Sequence, residues 1–263
     1  MPSRVKRGLK VLDNAAAKRV LVTGSSGRIG RAVSAELLRR GHHVRGFDLA
    51  PTPELTDMVV GTLTDAWAVE SAMRDRDAVI HLAATPDDGD FLNDIVPNNI
   101  VGVYHIFEAA RAAGVQRLIL ASTTQLVWYE IQKDAGTIRT DTQPTPRYWY
   151  AASKSFLEGA GRAFAEKFGM SVLAVRLGWC PRTRAQIDEI RTLAWAQDGY
   201  LSPGDAGRFF ACALEAAEPT KYAVVYAASK PVRRPLYDLE PAARLLGFEP
   251  HDQWPQGADA VTS

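Results

Sequence analysis

The sequence predicts an α/β fold, a doubly wound parallel sheet with a small C-terminal cap. Three observations carry this. Short apolar runs alternate with helical patterns from residue 19 onward, which implies parallel strands joined by right-handed crossovers that cover both sheet faces. The first run leads into glycines spaced as a tight strand-to-helix turn. The chain has 263 residues, 46% of them hydrophobic, so it can bury one large core or two small ones and is too apolar for a disordered chain.

Taken in order, Arg19–Thr23 is an apolar run of the buried-strand kind. Ile29, Val33, Leu37 and Leu38 then mark one face of a helix that runs to Arg40 and stops at Gly41. His43–Phe47 and Met58–Val60 read as the second and third strands. Asp65 caps a short helix to Met73, and Ala78–Leu82 is the fourth strand. A long helix, Val96–Ala113, ends at Gly114, and Arg117–Ala121 is the fifth strand. A second long helix, Tyr150–Phe168, ends at Gly169, and Ser171–Leu177 is the sixth strand. Beyond Gly178 the pattern gives helices near Ile187–Trp195 and Gly204–Ala217, a strand at Tyr222–Ala227 and a short helix at Leu239–Leu246. The expected organisation is a flexible basic tail over 1–18, a sheet domain over 19–178 that carries the reacting residues, and a cap over 179–263 interleaved with the last strand.

Composition excludes several function classes. With 31 basic and 30 acidic residues, the chain lacks the broad positive field of a nucleic-acid binder. Its two cysteines, Cys180 and Cys212, exclude a disulfide framework and a four-cysteine zinc site. His42, His43, His81 and His105 have no ligand-spaced partners, so no metal is expected. No apolar run approaches the ~20 residues of a membrane span, and the start has no signal-peptide pattern, so the expected setting is cytoplasmic.

The glycine turn Gly24-Ser-Ser26-Gly27-Arg28-Ile29-Gly30 follows a strand and opens a helix. Such a turn lets backbone approach a pyrophosphate, and the helix N-terminus supplies free N–H groups and positive dipole. Asp48, 18 residues after Gly30, ends the second strand; a carboxylate there accepts from both ribose hydroxyls and repels a 2′-phosphate, which favours NAD over NADP. This is a Rossmann-type arrangement.

Tyr150 and Lys154 stand at i and i+4, which on a helix puts both on one face ~6 Å apart along the axis. An ammonium beside a phenol favours phenolate, and a phenolate can take the proton of an alcohol while hydride leaves the carbon. The same five letters recur at Tyr226–Lys230, after a strand-like run and before Pro231. In a strand the two side chains would be ~13 Å apart, so this copy is read as structural. After the fifth strand, Ser122, Thr123 and Thr124 offer hydroxyls that can orient a substrate alcohol. Trp128, Tyr129, Tyr148 and Trp149 flank the same region, as stacking platforms or as core and interface residues.

These residues, together with Val22-Thr23-Gly24, His81-Leu-Ala-Ala84, Asn99-Ile-Val-Gly102, Ala121-Ser-Thr123 and Arg176-Leu-Gly178, resemble the extended short-chain dehydrogenase/reductase superfamily, also called the NAD-dependent epimerase/dehydratase family. The match runs over roughly residues 19 to 215. Within it the chain looks most like the uronate dehydrogenase branch, through Tyr104–Arg111, Ser153–Glu158, Lys167-Phe-Gly169 and Arg191-Thr-Leu-Ala-Trp195.

The resemblance implies an NAD-binding sheet and a Tyr150 base with Lys154 as its partner. It places Thr123 where relatives carry Ser, and Leu63, Leu82, Ala83, Ala84 and Asn99 around the cofactor. Thr85, Thr124 and Gln125 fall in the sugar pocket, where the uronate branch has a Ser and an Asn-His pair. Arg191 matches the residue that holds a sugar carboxylate, a task that suits a forked guanidinium. The resemblance also implies a homodimer through the Val96–Ala113 and Tyr150–Phe168 helices.

The resulting expectation is an NAD-dependent dehydrogenase that oxidises a hydroxyl of a sugar acid or free sugar. The alternatives are an epimerase or dehydratase that returns its hydride, and a dinucleotide-binding sensor without chemistry.

Overall fold

A computed structural model describes residues 16–87, 89–133, 136–216 and 221–260. Residues 1–15 of the expected tail lie outside it. Lys18, which is described, donates from Nζ to the Leu214 carbonyl at 2.7 Å.

The described residues form a seven-stranded sheet in the order β3-β2-β1-β4-β5-β6-β7, every pairing parallel. The strands are β1 (Arg19–Thr23), β2 (His43–Asp48), β3 (Asp57–Val60), β4 (Ala78–His81), β5 (Arg117–Thr123), β6 (Ser171–Leu177) and β7 (Tyr222–Ala227). Because both faces are covered, the central strands are apolar throughout rather than alternating. Val20, Leu21, Val22, Val79 and Ile80 have no exposure at all. The order reverses between β1 and β4, and in open parallel sheets the crevice beyond that reversal is where ligands bind.

Two cores flank the sheet. One face takes α1 (Arg28–Arg39) and α8 (Pro203–Glu215), with Val33, Leu37, Phe209 and Phe210 packed on Val20, Val22, Ile80 and Val175. The other takes α2 (Ala66–Met73), α3 (Gly102–Ala112) and α5 (Trp149–Phe168), with Met73, Phe107 and Leu157 on Leu21, Val79 and Leu120. This corrects the expected boundary at 178. α8 shares its core with β1 and β4, and β7 pairs with β6 along Val172–Leu177, so much of 179–263 belongs to the sheet body.

The helix expected from Val96 starts earlier. Phe91–Val101 winds in wide π turns before α3 continues it. Pro97 has no N–H to give the helix ladder, and its carbonyl accepts from the Gly102 N–H five residues on. A short 3₁₀ turn, Thr124–Val127, and α4 (Trp128–Lys133) follow β5. The segment expected as Ile187–Trp195 is two pieces, α6 (Arg184–Thr192), capped by the Thr183 hydroxyl, and α7 (Ala194–Asp198). A last helix, α9 (Glu240–Leu246), carries Ala242 and Leu246 into the α8 core. Among the described residues no helix is long and apolar enough to cross a membrane.

Candidate active site

A cavity of about 1090 Å³ opens over the C-terminal ends of β1, β2, β4, β5 and β6. Ordinary ligand pockets span about 300–1,000 Å³, so this one can take an elongated ligand.

Its first half is built by backbone. Gly24 has φ +71°, and its N–H donates to the Phe47 carbonyl at 2.8 Å, which fastens the turn to β2. A Cβ on Gly24 would lie 2.7 Å from the Ala83 nitrogen, and one on Gly30 would lie 2.0 Å from the Gly24 carbonyl oxygen. Both positions therefore require glycine. Gly27 caps α1 without a side-chain hydrogen bond, and the first turn has no acid, so the helix presents an uncapped N-terminus to the cavity. That is the donor set a pyrophosphate needs. Ser26, Arg28 and Ile29 line the same wall. The Asp48 carboxylate accepts from the Ser26 N–H at 3.0 Å and the Leu49 N–H at 2.7 Å, which orients it at the cavity edge. Leu63, Leu82, Ala83 and Ala84 supply apolar walls. The residues present fit a dinucleotide.

The second half carries the reacting groups. Thr123 ends β5, and Tyr150 and Lys154 occupy the first turns of α5. The register between them is fixed from below. Glu158, one turn beyond Lys154, accepts from the Ser122 hydroxyl at 2.6 Å and from Arg176 Nε and Nη2 at 3.0 Å each. This buried pair binds α5 to β5 and β6 just beneath Thr123, and its charges are matched by two parallel hydrogen bonds. Lys154 Nζ donates to the Ala121 carbonyl at 2.9 Å and lies 5.7 Å from the centre of the Tyr150 ring.

Burial pushes the Tyr150 phenol up to about 12, Asp87 adds to the rise, and a hydrogen bond from the Thr123 hydroxyl pulls it back. Burial pulls Lys154 down to about 8. The expectation that Lys154 would bring the phenol down is thus reversed: burial raises it, Thr123 and Arg182 are the groups that oppose the rise, and the Lys154 ammonium is engaged by the Ala121 carbonyl.

Two further expectations are corrected. Asn99 is not on the cavity wall. Its Oδ1 accepts from the Thr85 N–H at 2.8 Å, and its Nδ2 donates to the Thr85 carbonyl at 3.0 Å and the Ser153 hydroxyl at 3.1 Å. It therefore ties the loop after β4 to α5. Arg191 is also outside the cavity. Ile187 and Ile190 turn into the core and set the phase of α6, which leaves Arg191 exposed and paired with Asp188 at 2.7 Å.

Thr85, Thr124 and Gln125 do line the cavity. Of the flanking aromatics, Trp128 lines it and Tyr129, Tyr148 and Trp149 are exposed elsewhere. The second Tyr-Ala-Ala-Ser-Lys lies on β7 and the turn after it, with Tyr226 buried and stacked on Tyr237.

Arg147, Trp179 and Arg182 line the cavity with no sequence signal strong enough to find them. Trp179 stacks on Trp195, which meets Trp128 edge-on, and the three make an aromatic wall. Arg147 lies over the Trp128 ring at 4.4 Å. Arg182 reaches across from the β6–α6 loop to pair with Asp87 in the loop after β4. A cation three residues before Tyr150, and another shortly after Gly178, were the available hints.

The family model described as the NAD dependent epimerase/dehydratase family matches residues 20–179. The chain is 32% identical over 248 residues to an L-arabinose 1-dehydrogenase (NAD(P)(+)) of Haloferax volcanii, covering 89% of this chain and 96% of that one. It is similar to the structure of a glucuronic acid dehydrogenase from Chromohalobacter salexigens, with TM-score 0.77, 29% identity, and 93% and 88% of the two chains covered. It is also similar to a mutant uronate dehydrogenase from Agrobacterium tumefaciens complexed with NAD, with TM-score 0.75, 25% identity, and 94% and 91% covered.

Proposed function

The chain belongs to the NAD dependent epimerase/dehydratase family, and on that premise we propose that it is an NAD-dependent dehydrogenase that oxidises a hydroxyl of a free sugar or sugar acid. The observation that carries the reading is the convergence of Thr123, Tyr150 and Lys154 on one wall of the cavity whose other half is the glycine turn.

The turn at Gly24–Gly30 and the N-terminus of α1 would hold the pyrophosphate, and Asp48 the adenosine ribose. NAD, when bound, supplies the hydride acceptor. Thr123 orients the substrate oxygen and stabilises the Tyr150 phenolate by its hydrogen bond. Tyr150 takes the hydroxyl proton onto its phenolate oxygen, and Lys154 supplies positive charge behind the ring and a hand on the nicotinamide ribose. Trp179, Trp195 and Trp128 give the C–H face of a sugar an apolar wall and exclude water from it. Thr85, Thr124 and Gln125 are placed to meet its hydroxyls.

Two copies would pair through the π segment with α3, and through α5, where Val101, Tyr104, Phe156 and Phe168 stand exposed. The free thiols Cys180 and Cys212 support a reducing, cytoplasmic setting.

The test is a screen of aldoses and the matching uronates with NAD, read as NADH formed. Turnover of at least one class is expected. Sugar interconversion without net NADH would overturn the dehydrogenase reading in favour of an epimerase.

A further inference from the structure

The charges around the reacting centre bear on which sugars the site accepts. Three cavity arginines lie outside the backbone-built wall or border it, and each is engaged differently. Arg28 donates from Nη2 to the Gly257 and Ala258 carbonyls, at 2.7 and 3.2 Å. Arg147 lies flat over Trp128. Arg182 is held by Asp87. The expected carboxylate-binding arginine, Arg191, is outside altogether.

The Asp87–Arg182 pair is built into both walls. Asp87 sits at φ +57°, a left-handed conformation that Asp tolerates better than most side chains. Its own carbonyl accepts from Gly89 at 3.1 Å. Arg182 is fixed by its N–H to the Gln186 side chain at 2.7 Å, one turn into α6. Asp87, Arg182 and Tyr150 line the same cavity, and both charges are felt at the Tyr150 phenol, Asp87 raising its pKa and Arg182 lowering it. Asp94 and Glu189 also line the cavity, so carboxylates there balance or outnumber the guanidiniums.

We propose that Asp87 is a specificity-determining residue that selects neutral sugars: its carboxylate occupies Arg182 as an acidic substrate would, and it repels a sugar carboxylate from that cross-cleft cation. The substrate class is then a neutral aldose, with Asp87 accepting from one of its hydroxyls. An acidic sugar must displace Asp87 from Arg182 and leave a carboxylate unpaired beside its own; Asp87 is half exposed, so solvent screens part of that cost. The inference rests on the sugar-dehydrogenase reading and narrows it.

The experiment measures kcat and KM for matched pairs, such as a hexose and its uronate, together with NAD affinity by fluorescence titration in the absence of sugar. Wild type is expected to favour the aldose by about tenfold or more in kcat/KM, carried mostly by KM. Asp87→Asn, which keeps the shape and removes the charge, should shift that ratio toward the uronate by about tenfold, with NAD affinity unchanged. The double variant Asp87→Asn with Arg182→Gln should lose the uronate gain, because the freed guanidinium carries it.

A wild-type preference for uronates overturns the proposal, and if Arg147→Ala removes that preference then Arg147 is the substrate's anchor. An Asp87→Asn ratio equal to wild type also overturns it. Failure of every sugar to yield NADH instead overturns the dehydrogenase reading itself, a result distinct from either of these.

Discussion

The two halves of the cavity are built from different material. At the glycine turn, function is carried by backbone: an uncapped helix N-terminus, a left-handed glycine, and a second glycine packed so closely that a methyl group would meet a carbonyl at 2.0 Å. At the opposite wall, function is carried by side chains from segments far apart in sequence, among them Asp87, Trp128, Arg147, Trp179, Arg182 and Trp195. Backbone sites tolerate no added atoms and bind one kind of ligand. Side-chain sites can be rebuilt one residue at a time without disturbing the sheet. A family that keeps one cofactor and changes substrates has reason to divide its cavity this way.

The comparison can be tested from its seam outward. Tyr150→Phe removes the proton acceptor and little else, so kcat should fall about a thousandfold while NAD affinity, read by fluorescence titration, stays within about twofold of wild type. A parallel loss of NAD affinity would show that the two halves are not separable. Gly30→Ala acts on the backbone half. The turn must open to admit the methyl group, so thermal denaturation should show a loss of about 2–3 kcal/mol and NAD affinity should drop about tenfold or more. Retention of both would mean that the wall is softer than its packing implies.

On the side-chain half, Trp179→Ala should raise the sugar KM about five- to tenfold with NAD affinity unchanged. Thr123→Ala is the smallest and the most specific in sign. The base must be deprotonated to work, burial has pushed the phenol up to about 12, and the Thr123 hydrogen bond opposes that rise. Its removal should therefore move the rising limb of the pH–kcat/KM profile to higher pH; a shift to lower pH would assign Thr123 a different role.

The same division explains what could be read from the sequence. The glycine turn, Asp48 and the Tyr150–Lys154 pair are legible because each demand falls on a residue type at a fixed local spacing, and the structure brings all of them to one cavity. Arg191 misleads because the phase of α6 is set by Ile187 and Ile190 finding the core, which no local pattern near Arg191 records. Asn99 is recognisable as a polar residue that must find partners, but whether those are a ligand or Thr85 and Ser153 depends on where two other segments lie. The boundary at 178 follows the sixth strand, the last of the regular strand–helix alternation. The apolar stretch Phe209–Leu214 held the contrary signal, since so many buried side chains need a large surface to cover, and that surface is the sheet. α4 is only six residues long and has no cap or period to announce it.

The two Tyr-Ala-Ala-Ser-Lys segments fold differently. One copy opens a twenty-residue helix and holds a buried ammonium behind a phenol; the other finishes a strand, buries its tyrosine under Arg176 and leaves its lysine to solvent. Five identical letters within one molecule thus serve as their own control experiment on local coding. The pentapeptide holds almost no conformational information, and what separates an active centre from a filler is the company of elements on either side.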